Sequence, residues 1–93
     1  MLKKYEPIPT DNRKSFYHKC EIFETENGEK ALRSYRTIVM TQDQRGELHR
    51  HWQGWSATTA RHIWAAFLVN TKEYRAMSVE PLPEIWRDLQ YSL

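Results

Sequence analysis

Polar and apolar positions alternate from Ser15 onward. Phe16, His18, Cys20 and Ile22 interleave with Tyr17, Lys19, Glu21 and Phe23, the two-residue period of a strand whose even positions turn inward. Asn27-Gly28 then predicts a tight hairpin, because a type I′ turn needs positive φ at both central residues and these two tolerate it. The second strand runs from Ala31 to about Thr41, with Tyr35, Thr37 and the run Ile38-Val39-Met40 suited to a central, pleated surface. Asp43-Gln44-Arg45-Gly46 predicts the next connection, Gly46 taking the left-handed position, and Glu47 to Trp55 the returning third strand. Its Leu48, Arg50 and Trp52 share one face, and His49, His51, Gln53 and Trp55 the other.

At Gly54 the period changes. Ala60, Ile63, Trp64, Phe67 and Leu68 recur at three- and four-residue spacing, which predicts a helix from Ser56 to Asn70 with Ser56 or Thr58 capping its start and Asn70-Thr71 closing it. Beyond it, Tyr74, Met77 and Val79 suit a short strand or irregular packing. Pro81-Leu82-Pro83 interrupts any regular element, and Pro83 suits the first turn of a small helix with Ile85, Trp86 and Leu89 inward. Residues 1–14, with Pro7, Pro9 and the Thr10-Asp11-Asn12 cluster, read as an extended arm touching the domain through Tyr5 or Ile8. The expected fold is a single α+β domain over residues 15–93. It is a three-stranded antiparallel meander with the main helix packed on one face and a short C-terminal helix or irregular tail.

Composition narrows the function classes. At 93 residues there is room for one small core, and four Trp, five Tyr and three Phe supply large rings to fill it. A formal charge of +2 is too weak a field to imply nucleic acid on its own, so any basic site must be a local patch. Cys20 is the single cysteine, which excludes an intrachain disulfide and fits a cytoplasmic setting. Met1 to Pro7 carries no apolar segment after its lysines, and the apolar run Ile63 to Val69 is too short to span a bilayer, so no membrane role is expected.

Chemistry is sparse. His49 and His51, two apart on a strand, face one way, and His18, His62 or Cys20 would have to complete a zinc site. The spacing lacks the four recognisable ligands such a site needs, so neither metal nor cofactor is expected. Cys20 falls on the inward side of its strand, where it packs as a small hydrophobe and not as a nucleophile. Glu21, Glu24, Glu26 and Glu29 surround a hairpin as a solvated edge, and the three glycines are isolated, so no phosphate loop exists. These readings point away from an enzyme. Arg33, Arg36, Arg45, Arg50 and Arg61, with Tyr35, Trp52 and Trp55, offer forked phosphate contacts and stacking platforms for nucleic acid. The helix, apolar almost all round from Trp64 to Val69, exceeds what a small sheet can cover. Either the tail covers the surplus through Tyr74, Met77 and Trp86, or a homodimer or another protein does.

The order Ser34-Tyr35-Arg36-Thr37-Ile38-Val39, then Gly54-Trp55-Ser56-Ala57-Thr58-Thr59-Ala60-Arg61-His62-Ile63 followed by Phe67, resembles small proteins of bacteriophages, prophages and plasmids, especially from Gram-positive hosts. The resemblance covers roughly residues 33–70, and Trp-Ser-Ala-Thr-Thr-x-Arg-His-Ile is its most specific part. It implies a mobile-element accessory protein and brings no catalytic residues. The expected function is therefore non-catalytic binding of a host or phage macromolecule, extending to inhibition of a host defence nuclease such as a CRISPR effector. The alternative is a nucleic-acid-binding protein that uses an arginine and aromatic sheet face. Trp55, Arg61 and His62 at the helix start, with Arg36, Arg50 and Trp52 on the strands, are the candidate binding residues.

Overall fold

The computed structural model describes residues 2–8 and 19–90. Among them five strands form one antiparallel sheet in sequence order: β1 (Lys3–Tyr5), β2 (Cys20–Glu24), β3 (Lys30–Ser34), β4 (Thr37–Gln42) and β5 (Leu48–Arg50). Three helices follow, α1 (Ala57–Phe67), α2 (Thr71–Ala76) and α3 (Glu84–Arg87). The α+β class holds, but the three-stranded meander does not. Phe16 and His18, at the head of the first expected strand, lie outside the described residues.

Two features raise the strand number. Lys3–Tyr5, within the stretch expected to be an arm, pairs with β2 in the register Lys3↔Glu24 to Tyr5↔Ile22. The long second strand is two strands, joined by a two-residue reversal at Tyr35-Arg36, so that Ser34 pairs with Thr37. Tyr35 makes the reversal in the left-handed region at φ 58, and its amide donates to Lys19 O at 2.7 Å. Tyrosine seldom adopts that conformation, and no turn residue marks the site. Val39 is then the extra residue of a bulge, because Leu32 pairs with Met40 and Arg33 with Ile38. The bulge explains the three consecutive apolar residues, since Val39 and Met40 join one core and Ile38 the other.

The other two hairpins share a different construction. Thr25 N donates to Glu29 O and Gly28 N to Thr25 O, just as Asp43 N donates to Glu47 O and Gly46 N to Asp43 O. Only the glycine takes positive φ in each, 87° at Gly28 and 86° at Gly46. Asn27 stays at negative φ, so the expected type I′ turn is instead a three-residue loop with a left-handed glycine at its end.

Alternation places neighbouring residues of each strand on opposite faces. Cys20, Ile22, Leu32, Val39 and Met40 pack with Ile63, Val69 and Tyr74 beneath α1 and α2. Phe23, Ala31 and Ile38 pack on the reverse face against Trp86, with Leu82 and Leu89 around it. The sheet is thus covered on both sides. Trp86 is buried against it, while Ile85, expected inward, is exposed.

Ser56 caps α1, its side chain accepting from Thr59 N. The helix is shorter than the apolar run, because Leu68 at φ 57 ends it and its amide donates to Trp64 O. Asn70 opens α2 instead of closing α1: its side chain accepts from Glu73 N, and Glu73 reaches back to the Asn70 amide. The third strand also stops early, at Arg50, and residues 51–56 run without regular structure.

Candidate functional site

The six candidate binding residues separate into two groups. Arg50 is buried at 7% exposure. Its Nε donates to Trp52 O and its Nη2 to Gln53 O, both at 2.9 Å, while Nη1 faces the carbonyls of Tyr74, Arg75 and Met77 at 3.2 to 3.4 Å. The guanidinium lies 4.4 Å from the Tyr74 ring centroid, so this cation is spent inside the fold. Trp52 is half-buried against the core, and its carbonyl also accepts from Tyr74 Oη at 2.6 Å. His62 is fully buried, with Nδ1 2.7 Å from Ser34 Oγ, which in turn lies 2.9 Å from Thr59 Oγ1. Ser34 and His62 have the atoms of a nucleophile and base, but enclosure in the core gives a substrate no approach.

Trp55, Arg36 and Arg61 lie nearer solvent. Trp55 is exposed, its indole reaching Thr71 Oγ1 at 3.4 Å, and Arg36 occupies the exposed β3–β4 reversal. Arg61 is half-buried on α1. Among the other arginines, Arg33 is buried, bonded to Glu21 and to Leu89 O and stacked over Phe23 at 4.9 Å, and Arg45 is exposed in the β4–β5 turn. Both sheet faces carry cover, so Arg33 and Arg50 do not form an open basic face with Arg36.

Arg61 and Trp64, three residues apart, share the outward side of α1, and Leu68 caps its C-terminal end just beyond Phe67. Thr59, His62 and Ile63 bury the opposite side. Trp64 is 43% exposed and Leu68 67%, which makes an apolar ridge on a helix whose inner face is already satisfied. Among the described residues, Tyr74 and Met77 pack with Ile63 in the α1-side core, Leu82, Trp86 and Leu89 cover the far face of the sheet, and Trp64 and Leu68 stay exposed.

A second cluster forms where β5 meets the segment after α2. His49 Nε2 lies 2.9 Å from Asp43 Oδ2 and its Nδ1 2.9 Å from Glu80 Oε2. Carboxylates only accept, so both ring nitrogens carry hydrogen and the ring is a cation; its pKa is raised by the Asp43 contact first and Glu80 second. Asp43 is correspondingly lowered by His49 and by the Arg45 and Glu47 amides. Asp43, Glu47 and His49 approach within 4.8 Å, yet His49 itself supplies the positive charge there. His51 differs: burial lowers its pKa, Nδ1 faces Glu80 O at 2.9 Å, and Nε2 faces Thr41 Oγ1 at 2.7 Å. Burial pushes the Cys20 thiol up to about 12, aided by Glu6 and Glu21, which removes it as a nucleophile.

Sequence reasoning missed Leu68, Asp43 and Glu80. Glu80 lies 31 positions from His49, so no local pattern joins them. A leucine at a helix end gives no sign that it will take a glycine-like conformation. Among the described residues no helix is long and apolar enough to cross a membrane.

The chain matches the model of DUF8033, a family of unknown function, over residues 3–78, and it belongs to that family. The match runs from β1 through α2 and stops before α3. No curated protein and no solved structure matches the chain.

Proposed function

We propose that this member of the DUF8033 family is a non-catalytic binding protein. Its contact surface is the outward ridge of α1, with Trp64 and Leu68 as anchors and Arg61 and Trp55 at the rim. Leu68 carries the reading. It holds an exposed leucyl side chain in a left-handed conformation that costs an L-residue roughly 1 to 2 kcal/mol, where glycine is the usual occupant. Folding alone gains little from that choice, and strain kept at a surface position is a feature of functional sites. Tryptophan and arginine, the types at 64 and 61 on the outward side of α1, concentrate binding energy at protein interfaces.

The non-catalytic part draws on the state of the reactive groups. His49, His51 and His62 have their ring nitrogens engaged by neighbours or enclosed, and Cys20 is buried. Following the resemblance to phage, prophage and plasmid proteins, the partner is a host or phage macromolecule, and a host defence nuclease such as a CRISPR effector is its narrowest form. The alternative, nucleic acid on an arginine sheet face, has less support, since Arg33 and Arg50 are buried.

A photo-crosslinking residue at position 64 or 68, expressed in the host, tests the surface. The expected result is one discrete adduct with a host or phage protein, absent when the crosslinker replaces Gln44 in the β4–β5 turn. That protein should co-purify with wild type and not with a Trp64→Ala, Leu68→Lys variant of unchanged melting temperature. Adducts only between copies of this chain, or an undiminished complex with the double variant, would overturn the reading.

A further inference from the structure

Residues 78–81 have no regular structure of their own, yet Val79 and Glu80 are fixed against the end of β5. Val79 bridges Arg50 in parallel register, and the Glu80 amide donates to Arg50 O at 2.8 Å. Two histidines then hold the same residue, His49 by the Glu80 carboxylate and His51 by the Glu80 carbonyl, each at 2.9 Å.

The two rings meet Glu80 in different ways. His49 stands between two carboxylates and bonds both only as an imidazolium. The charged groups facing it are Asp43 and Glu47 from the β4–β5 turn, Glu80 from the strap, and His51. His51 donates from Nδ1 to the Glu80 carbonyl, and its Nε2 meets the Thr41 hydroxyl, which can donate or accept, so it is burial that favours the neutral form of this ring. The groups facing His51 are Thr41 from β4, the main chain and carboxylate of Glu80, and the His49 cation.

We infer that residues 78–81, exposed between the packed side chains of Met77 and Leu82, form a pH-gated strap, latched onto β5 when His49 is a cation and released when His49 loses its proton. A neutral His49 has one N–H for two carboxylates, so one contact becomes lone pair against lone pair. Glu80 is the one that leaves. Asp43 is anchored by accepting from Arg45 N and Glu47 N through its other oxygen at 2.9 and 3.0 Å, whereas the Glu80 side chain is 48% exposed on an irregular segment.

Direction follows from linkage. The raised pKa of His49 means its share of the latch is fully present below the free imidazole value of about 6.5 and is lost as pH rises through the raised value. The lowered pKa of His51 means its share is present above about 6.5 and is lost as pH falls through the lowered value. Closure is therefore greatest around pH 6.5 and weakens on both sides.

The Glu80 amide reports the latch, because its hydrogen bond to Arg50 O breaks on release. Histidine titration and amide exchange by NMR, with exchange expressed as protection over an unstructured chain, test it in wild type and Glu80→Gln. His49 should titrate above about 6.5, and Glu80 protection should fall on the alkaline side by up to about tenfold for each unit of that elevation. Glu80→Gln should lower the His49 pKa and flatten the alkaline limb, while Leu32 in β3 keeps its protection. Wild-type protection at Glu80 that does not change from pH 6 to 8, or a Glu80→Gln variant that leaves the limb intact, would overturn the strap.

Discussion

Arg50 faces five main-chain carbonyls from one side chain, and those carbonyls come from residues 52, 53, 74, 75 and 77. The fork and flat face of guanidinium serve that arrangement, and an ammonium group cannot reproduce either. Arg50→Lys should therefore lower unfolding free energy by roughly 2 to 4 kcal/mol in urea titration, because carbonyls are left buried without donors. A loss under about 1 kcal/mol would show that solvent supplies them. Gly54 illustrates a second kind of hidden constraint. The Trp-Ser motif beside it suggests that glycine frees a turn, but its φ is not positive; instead a Cβ there would stand 2.6 Å from Cζ2 of Trp52. Gly54→Ala should cost roughly 1 to 3 kcal/mol through displacement of that indole, seen as a lower melting temperature with altered tryptophan fluorescence. Residue identity alone makes Arg50 look like a surface cation and Gly54 a hinge, because the atoms that define both roles are brought in only by folding.

At the scale of the elements, legibility follows the distance over which a signal acts. Ser56 is readable as a cap because its acceptor and the Thr59 amide are three residues apart. Gly28 and Gly46 are readable as left-handed positions because glycine is cheap there. Tyr35 and Leu68 take the same backbone region without the residue that announces it, and each misplaces a boundary: one hides a hairpin, the other shortens a helix. The two ends of α1 can be set against each other by substitution. Ser56→Ala should destabilise by about 1 kcal/mol. Leu68→Gly should stabilise by a few tenths to about 1 kcal/mol, the left-handed cost removed being partly offset by the greater freedom of an unfolded glycine. Paired with the crosslinking experiment, the second substitution separates folding from binding, because a more stable protein that has lost its partner is the outcome expected of a residue kept for contact. Lower stability in thermal melts would mean that Leu68 packs usefully despite its exposure.

Among the described residues, the molecule is a sheet with a core on each face and the strands lie between the two. Ile22 and Phe23 are consecutive yet belong to different cores, as do Ala31 and Leu32. From the sequence one face was expected to be covered by the helix, with either the tail or a partner lying over that helix. Nothing in the order of Trp86 and Leu89 says which side of the sheet a segment following Pro81 and Pro83 will reach. The arrangement makes a demanding prediction about cooperativity. Cys20 lies on the α1 side with no exposure, and burial holds its thiol far from ionisation at neutral pH, so a thiol reagent reaches it only when the sheet opens. Trp86 lies on the reverse side. A chain of 93 residues has roughly 5 to 14 kcal/mol of total stability, and Trp86→Ala should remove about 3 to 5 of it. If both cores stand or fall with the strands they share, Cys20 labelling under native conditions should accelerate about a hundredfold or more in that variant, although the two side chains belong to different faces. Labelling unchanged from wild type, together with increased exchange confined to residues 81–90, would mean that the reverse-face cover opens alone and that the α1 side is the independent folding unit.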